Sequence, residues 1–114
     1  MQPEERDAAY LWDMLQASRD ILEFTRGVSP GQYSSNKMLQ MAVERGFQIL
    51  GEAARRVTES FKAAHPEIPW SLIVGHRNVI VHNDADLSPK RIWEVIEDDL
   101  PGLVQMLEGL ISFE

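Results

Sequence analysis

Arg77, Asn78 and His82 set a permanent cation, an amide and a titratable imidazole inside the run Gly75-His76-Arg77-Asn78-Val79-Ile80-Val81-His82. A guanidinium binds phosphate through a planar fork of donors, and an imidazole moves protons close to neutral pH. On a helix Asn78 and His82 share a face, while Arg77 and His82 are turned apart by about 140°. A long arginine side chain reaches around the helix end, so one anion near that face meets all three groups. The spacing suits phosphodiester chemistry without a metal. Taken alone, the same residues also fit an exposed arginine beside a histidine that satisfies a backbone carbonyl.

The surrounding segments narrow the reading. Ala42-Val43-Glu44-Arg45 leads into Gly51-Glu52-Ala53, Ile68-Pro69-Trp70 opens the segment that carries Arg77, and Arg91-Ile92-Trp93 leads to Asp99-Leu100-Pro101 near the end. In this order the segments resemble the HEPN domain family, and more narrowly its HepT-like branch, over nearly the whole chain. The resemblance implies an all-α, antiparallel four-helix bundle with room for a short extra helix. It implies a homodimer that brings two copies of the Arg-to-His motif to a shared cleft. The activity it implies is that of an endoribonuclease toxin cutting RNA without a metal or cofactor, with Arg77, Asn78 and His82 as catalytic residues, and with a nucleotidyltransferase antitoxin as partner.

One position departs from the family pattern. Where many HepT-like chains carry a tyrosine two residues after the motif histidine, this chain has Asp84, and no tyrosine follows Tyr33. In the family that tyrosine is a place where the antitoxin attaches nucleotide groups, so occlusion by the partner gains ground here over modification. The alternative is a non-catalytic helical dimer module that binds a nucleotide or a nucleotidyltransferase and uses Arg77 and His82 only to hold phosphate. The two readings separate on turnover of RNA.

Composition bounds the rest. A chain of 114 residues makes one domain, 1–114, with a real core, yet small enough that a partner subunit would add stability. It has no cysteine, so disulfides and thiolate metal sites are excluded, and its 3 histidines lack a close-spaced ligand set for zinc. The acidic start lacks the pattern of a signal peptide, and no apolar run is long enough to span a membrane. A soluble, cytoplasmic protein is expected. The net charge of -7, from 18 acidic and 11 basic residues, argues against broad duplex binding and leaves room for a basic partner. Arg45, Arg55, Arg56 and Arg77 nevertheless gather in the middle of the chain.

The elements that must position these residues read as helices. The first is expected over 4–26, with Leu11, Met14 or Leu15, Ser18, Ile21, Leu22 and Thr25 as its buried stripe and Gly27 as its stop. Residues 28–35 read as a loop, with Ser34 or Ser35 as the cap of a second helix beginning near Asn36 or Lys37. Inside that helix Gly51 is expected to mark a close helix contact, because an interior glycine costs about 1 kcal/mol relative to alanine. Pro66 and Pro69 break the pattern, and a third helix follows over 69–82. Ser88 and Pro89 start a fourth, which Pro101 should kink or break. Glu52 and Arg55 are placed either to steady Arg77 from the second helix or to form a salt-bridged face on that helix. His76 is read as packing or surface, and His65 as a solvated loop residue. Trp12, Trp70 and Trp93 are a large aromatic load for so small a domain, fitting either the core or an interface.

Overall fold

The apolar stripe of the first helix closes on the middle of the second, and that seam organises the molecule. The computed structural model describes the backbone of residues 5–81 and 88–111 and the side chains of 6–78 and 88–111. Among the described residues there are seven helices and no strand: α1 (Glu5–Phe24), α2 (Pro30–Ser35), α3 (Lys37–Arg56), α4 (Glu59–Ala64), α5 (Trp70–Val81), α6 (Pro89–Asp98) and α7 (Leu100–Ile111). The long helices α1, α3 and α5 with the pair α6 and α7 make the four limbs expected of the bundle, and α2 and α4 are short additions.

Leu11, Met14, Leu15, Ser18, Ile21 and Thr25 are all buried, as the three-four spacing of α1 requires, while Leu22 stays partly covered. They meet Val43, Phe47, Leu50 and Ala54 of α3 in one core that Ile92, Leu100 and Leu107 close from the other side. Trp70 and Trp93 belong to this core, whereas Trp12 is 50% exposed. The aromatic load is therefore split, with Trp93 resting on Tyr33 at a centroid distance of 5.4 Å.

Direction along the seam follows from two contacts. Asp7 at the start of α1 is bonded to Thr58, just past the end of α3, while Gly46 lies against Ala17 and Ile21 farther along α1. The two helices are antiparallel. The pairs Phe47 with His76 and Gly51 with Ile73 set α5 antiparallel to α3 in the same way.

Three local features differ from the sequence expectation, and a fourth follows it. Residues 30–35 form a helix, because Ser29 and Gln32 make a reciprocal capping box and Pro30 occupies a first-turn position where its missing N–H costs nothing. The cap of α3 is Asn36, which accepts from the Leu39 amide at 3.0 Å, and neither Ser34 nor Ser35 takes that role. Thr58 caps α4, a helix that the sequence pattern did not reveal. The fourth limb breaks near Pro101 as expected, into two helices that meet at Asp99. The ring of Pro101 would clash with the carbonyl of residue 97 in a continuous helix, so α6 ends and Pro101 becomes the second residue of α7.

Asp7 adds a tertiary contact that no local pattern reports. It lies in the first turn of α1, where a negative charge suits the helix dipole, and it is 2% exposed. Its Oδ1 accepts from the Thr58 amide at 2.9 Å and its Oδ2 from the Thr58 hydroxyl at 2.7 Å. It is a tie between α1 and the cap of α4. His65 likewise is half-buried and ends α4, with its ring 4.4 Å from that of Phe61 and its carbonyl accepting from Trp70 Nε1 at 3.0 Å.

Candidate nucleic-acid site

Gly51 is where the site is built. A Cβ added there would lie 2.2 Å from the Cβ of Arg77, 2.8 Å from its Cγ and 3.3 Å from the carbonyl oxygen of Ile73. Only the missing side chain lets α5 come this close, and the stem of Arg77 then lies on the backbone of α3. The close contact expected at Gly51 is present, and its partner is the arginine of the motif.

From that position the guanidinium is held on two sides. Arg77 Nη2 lies 3.2 Å from Glu52 Oε1, and Arg77 Nη1 donates to Asn78 Oδ1 at 3.0 Å. Glu52 also accepts from Arg55 at 2.8 Å and from Arg56 Nε at 2.9 Å. The bonds from Arg55 and Arg56 hold the Glu52 carboxyl well below the usual range, down to about 2. One carboxylate thus anchors three guanidiniums, and the positive charge around it exceeds its own. Arg77 is the most covered of the three, at 26% side-chain exposure against 55% and 52%.

Both readings of the pair are present: Glu52 pairs with Arg77, while Arg55 and Arg56 pair with Glu52 along the face of α3. Arg77 and Asn78 are together. His82, with Asn83 and Asp84, lies outside the described residues, so its expected place beside them rests on the spacing alone. His76 turns to the other side of α5, as expected for a packing residue, with its ring edge-on to Phe47 at 4.8 Å. Burial, together with the charge of Arg91, pushes the His76 imidazole below its ordinary value. It faces an apolar groove of about 450 Å³ between α3, α5 and the α6–α7 pair, separate from Arg77.

Arg77 opens instead on a polar cleft of about 380 Å³ between α1 and α3, together with Tyr10, Arg45, Gln48, Glu52 and Arg56. Sequence inspection groups the arginines by position in the chain. It does not pick out Tyr10 or Gln48, although the spacing 45, 48, 52, 56 on α3 is the one readable sign that those residues share a face. Such a cleft presents forked cation donors to an anion while the rest of the surface is acidic.

Comparison with known proteins shows the family. The profile described as Ribonuclease HepT-like matches residues 14–110. A Methanocaldococcus jannaschii protein named as a candidate RNase is 32% identical over 100 residues, covering 88% of this chain and 92% of its own length. A Thermococcus cleftensis protein carrying the name probable ribonuclease HepT is 34% identical over 101 residues, covering 89% and 92%. A candidate RNase of Caldanaerobacter subterraneus is 28% identical over 105 residues, covering 92% and 94%. No solved structure matches the chain significantly. The profile match runs from α1 through α7, across all three helices that meet at Arg77, and the chain belongs to the ribonuclease HepT-like family.

Proposed function

We propose that this protein is an endoribonuclease that cleaves RNA without a metal, with Arg77, Asn78 and His82 as the acting groups. The observation that carries the reading is the Arg77 guanidinium, fixed by Glu52 and Asn78 at a cleft with two further arginines, in a chain of a ribonuclease family.

In the proposed step the His82 imidazole takes the proton of a ribose 2'-hydroxyl. The 2'-oxygen then bonds to the adjacent phosphorus, the bond from phosphorus to the 5'-oxygen breaks, and a 2',3'-cyclic phosphate remains. Arg77 neutralises the charge that gathers on the phosphoryl oxygens, and Asn78 orients the guanidinium that it already bonds. The departing 5'-oxygen receives its proton from an imidazolium, supplied by the His82 of a second copy when two motifs share a cleft. Positioned proton transfer contributes on the order of 100 to 10,000-fold in rate. DNA lacks the attacking hydroxyl and is refused.

The partner is a nucleotidyltransferase antitoxin that covers the cleft, and Asp84 in place of the family tyrosine favours occlusion over modification. End analysis of the cut RNA tests the chemistry. Products must carry a 2',3'-cyclic phosphate and a 5'-hydroxyl, and a single 2'-deoxy nucleotide at the cut must block it. Fragments bearing 5'-phosphates would refute the mechanism, and a protein that binds RNA but never turns it over would be the non-catalytic module instead.

A further inference from the structure

The cleft beside Arg77 is larger than one phosphate requires, and its far end is built from residues with no part in the proposed step. On α3, Arg45, Gln48, Ile49, Glu52 and Arg56 follow one another at the spacing of a single helix face, and Tyr10 of α1 stands across from the Arg56 end of that row. Arg45 lies seven residues before Glu52, or about 10 Å along the helix axis. That separation suits two neighbouring phosphates of one strand better than two contacts on a single small anion.

The groups at that end are available. Arg45 is exposed and forms no ion pair among the described residues, where its side chain makes one hydrogen bond, to Gln48 Oε1 at 3.4 Å. Its forked donors remain open to a phosphate. Ile49 is 39% exposed at the rim and, with the ring of Tyr10, gives the cleft an apolar wall. The Gln48 amide offers the two donors of its nitrogen to a base edge, while its oxygen accepts from Arg45. An aromatic ring, an amide and a guanidinium are what an unpaired nucleotide uses, since a base must be unstacked from its own strand to lie on a protein ring.

Charge points the same way. The cleft carries Arg45, Arg56 and Arg77 against Asp13 and Glu52, in a chain whose net charge is -7. Glu52 is already engaged by Arg56, Arg77 and the neighbouring Arg55. A local basic cleft on an acidic body guides a single strand to one place and discourages the extended backbone contacts of a duplex.

We infer that the α1–α3 cleft is a second nucleotide subsite for single-stranded RNA, in which Arg45 holds the phosphate next to the scissile one and Tyr10 and Ile49 hold its base. The inference rests on the proposed RNA cleavage at Arg77 and adds the substrate class that the site accepts.

A probe that cannot be cut separates the two. Binding of a fluorescent single-stranded DNA oligonucleotide, which lacks the attacking hydroxyl, is measured for wild type, Arg45→Ala and Tyr10→Leu over a salt series, with folding checked by circular dichroism. Arg45→Ala is expected to weaken binding about tenfold and to reduce the slope of log K against log salt by about 0.7. Tyr10→Leu is expected to weaken binding with the slope unchanged. In the cleavage assay Arg45→Ala should raise KM on a long RNA several-fold more than on a dinucleotide. Loss of oligonucleotide binding in Arg45→Ala, in a protein that never cuts RNA, would support the subsite while refuting the cleavage. Wild-type affinity and salt slope in Arg45→Ala, or an equal loss on duplex and single strand, would overturn the subsite.

Discussion

Replacing Gly51 with alanine adds one methyl group where α3 and α5 are closest. Its Cβ would sit 2.2 Å from the Arg77 Cβ, whereas carbon atoms rest about 3.5 to 4.0 Å apart. The helices must therefore separate by roughly 1.5 Å at this point, and the Ile73 carbonyl at 3.3 Å prevents the change from being absorbed by one side chain. Overpacking of this kind costs about 1 to 3 kcal/mol, while alanine returns about 1 kcal/mol of helix propensity. Stability should fall by about 1 kcal/mol on balance. Activity should fall much further, because a displacement near 1 Å at a positioned group costs on the order of 100-fold. Gly75→Ala on α5 is the control, since a Cβ there meets nothing within 4 Å. It should gain up to about 1 kcal/mol and keep full activity. Chemical denaturation and RNA cleavage on the same preparations read both quantities. A Gly51→Ala protein that is as active as wild type and more stable would refute the close approach of Arg77 to α3.

Other consequences concern the frame. Asp7→Ala removes two charge-assisted bonds from the Thr58 cap and should cost on the order of 3 kcal/mol by urea denaturation, with Asp7→Asn losing distinctly less. Tyr33 is buried with no hydrogen-bond partner for its hydroxyl among the described residues, and that burial, with Glu44 nearby, pushes its ionisation above the usual range. Tyr33→Phe should therefore leave stability unchanged or raise it by about 1 kcal/mol, and a loss above that size would show a partner for the hydroxyl. His76 has a folded-state value below its unfolded one, so the unfolded chain binds the extra proton and stability falls as pH drops below about 6.5. His76→Gln should flatten the denaturation midpoint between pH 7 and pH 5, and an unchanged slope would remove the imidazole as its cause.

The sequence made some of this visible and hid the rest for physical reasons. The stripe of α1 was readable because one face meets one core, so the period of the helix is the period of burial. The start of α3 was readable to within a residue, although its capping side chain was not, since Ser34, Ser35 and Asn36 are all competent acceptors. Helices α2 and α4 span six residues each, too short for a periodic signal, and Gly31 with two serines made α2 look like a turn. The seal between Asp7 and Thr58 joins residues 51 positions apart, which no local pattern reports. At the site, Gly51 announced a close contact and Glu52 a support. The cleft that unites Tyr10, Arg45 and Arg77 exists only once α1, α3 and α5 are packed.

The central claim is that His82 and Arg77 cut RNA without a metal. Purified protein, wild type against His82→Ala, is incubated with total RNA in EDTA after circular dichroism shows the two equally folded. Cleavage by wild type with a loss of at least 100-fold in His82→Ala is the expected result. Equal cleavage by both, or none by wild type at high enzyme concentration, would contradict it.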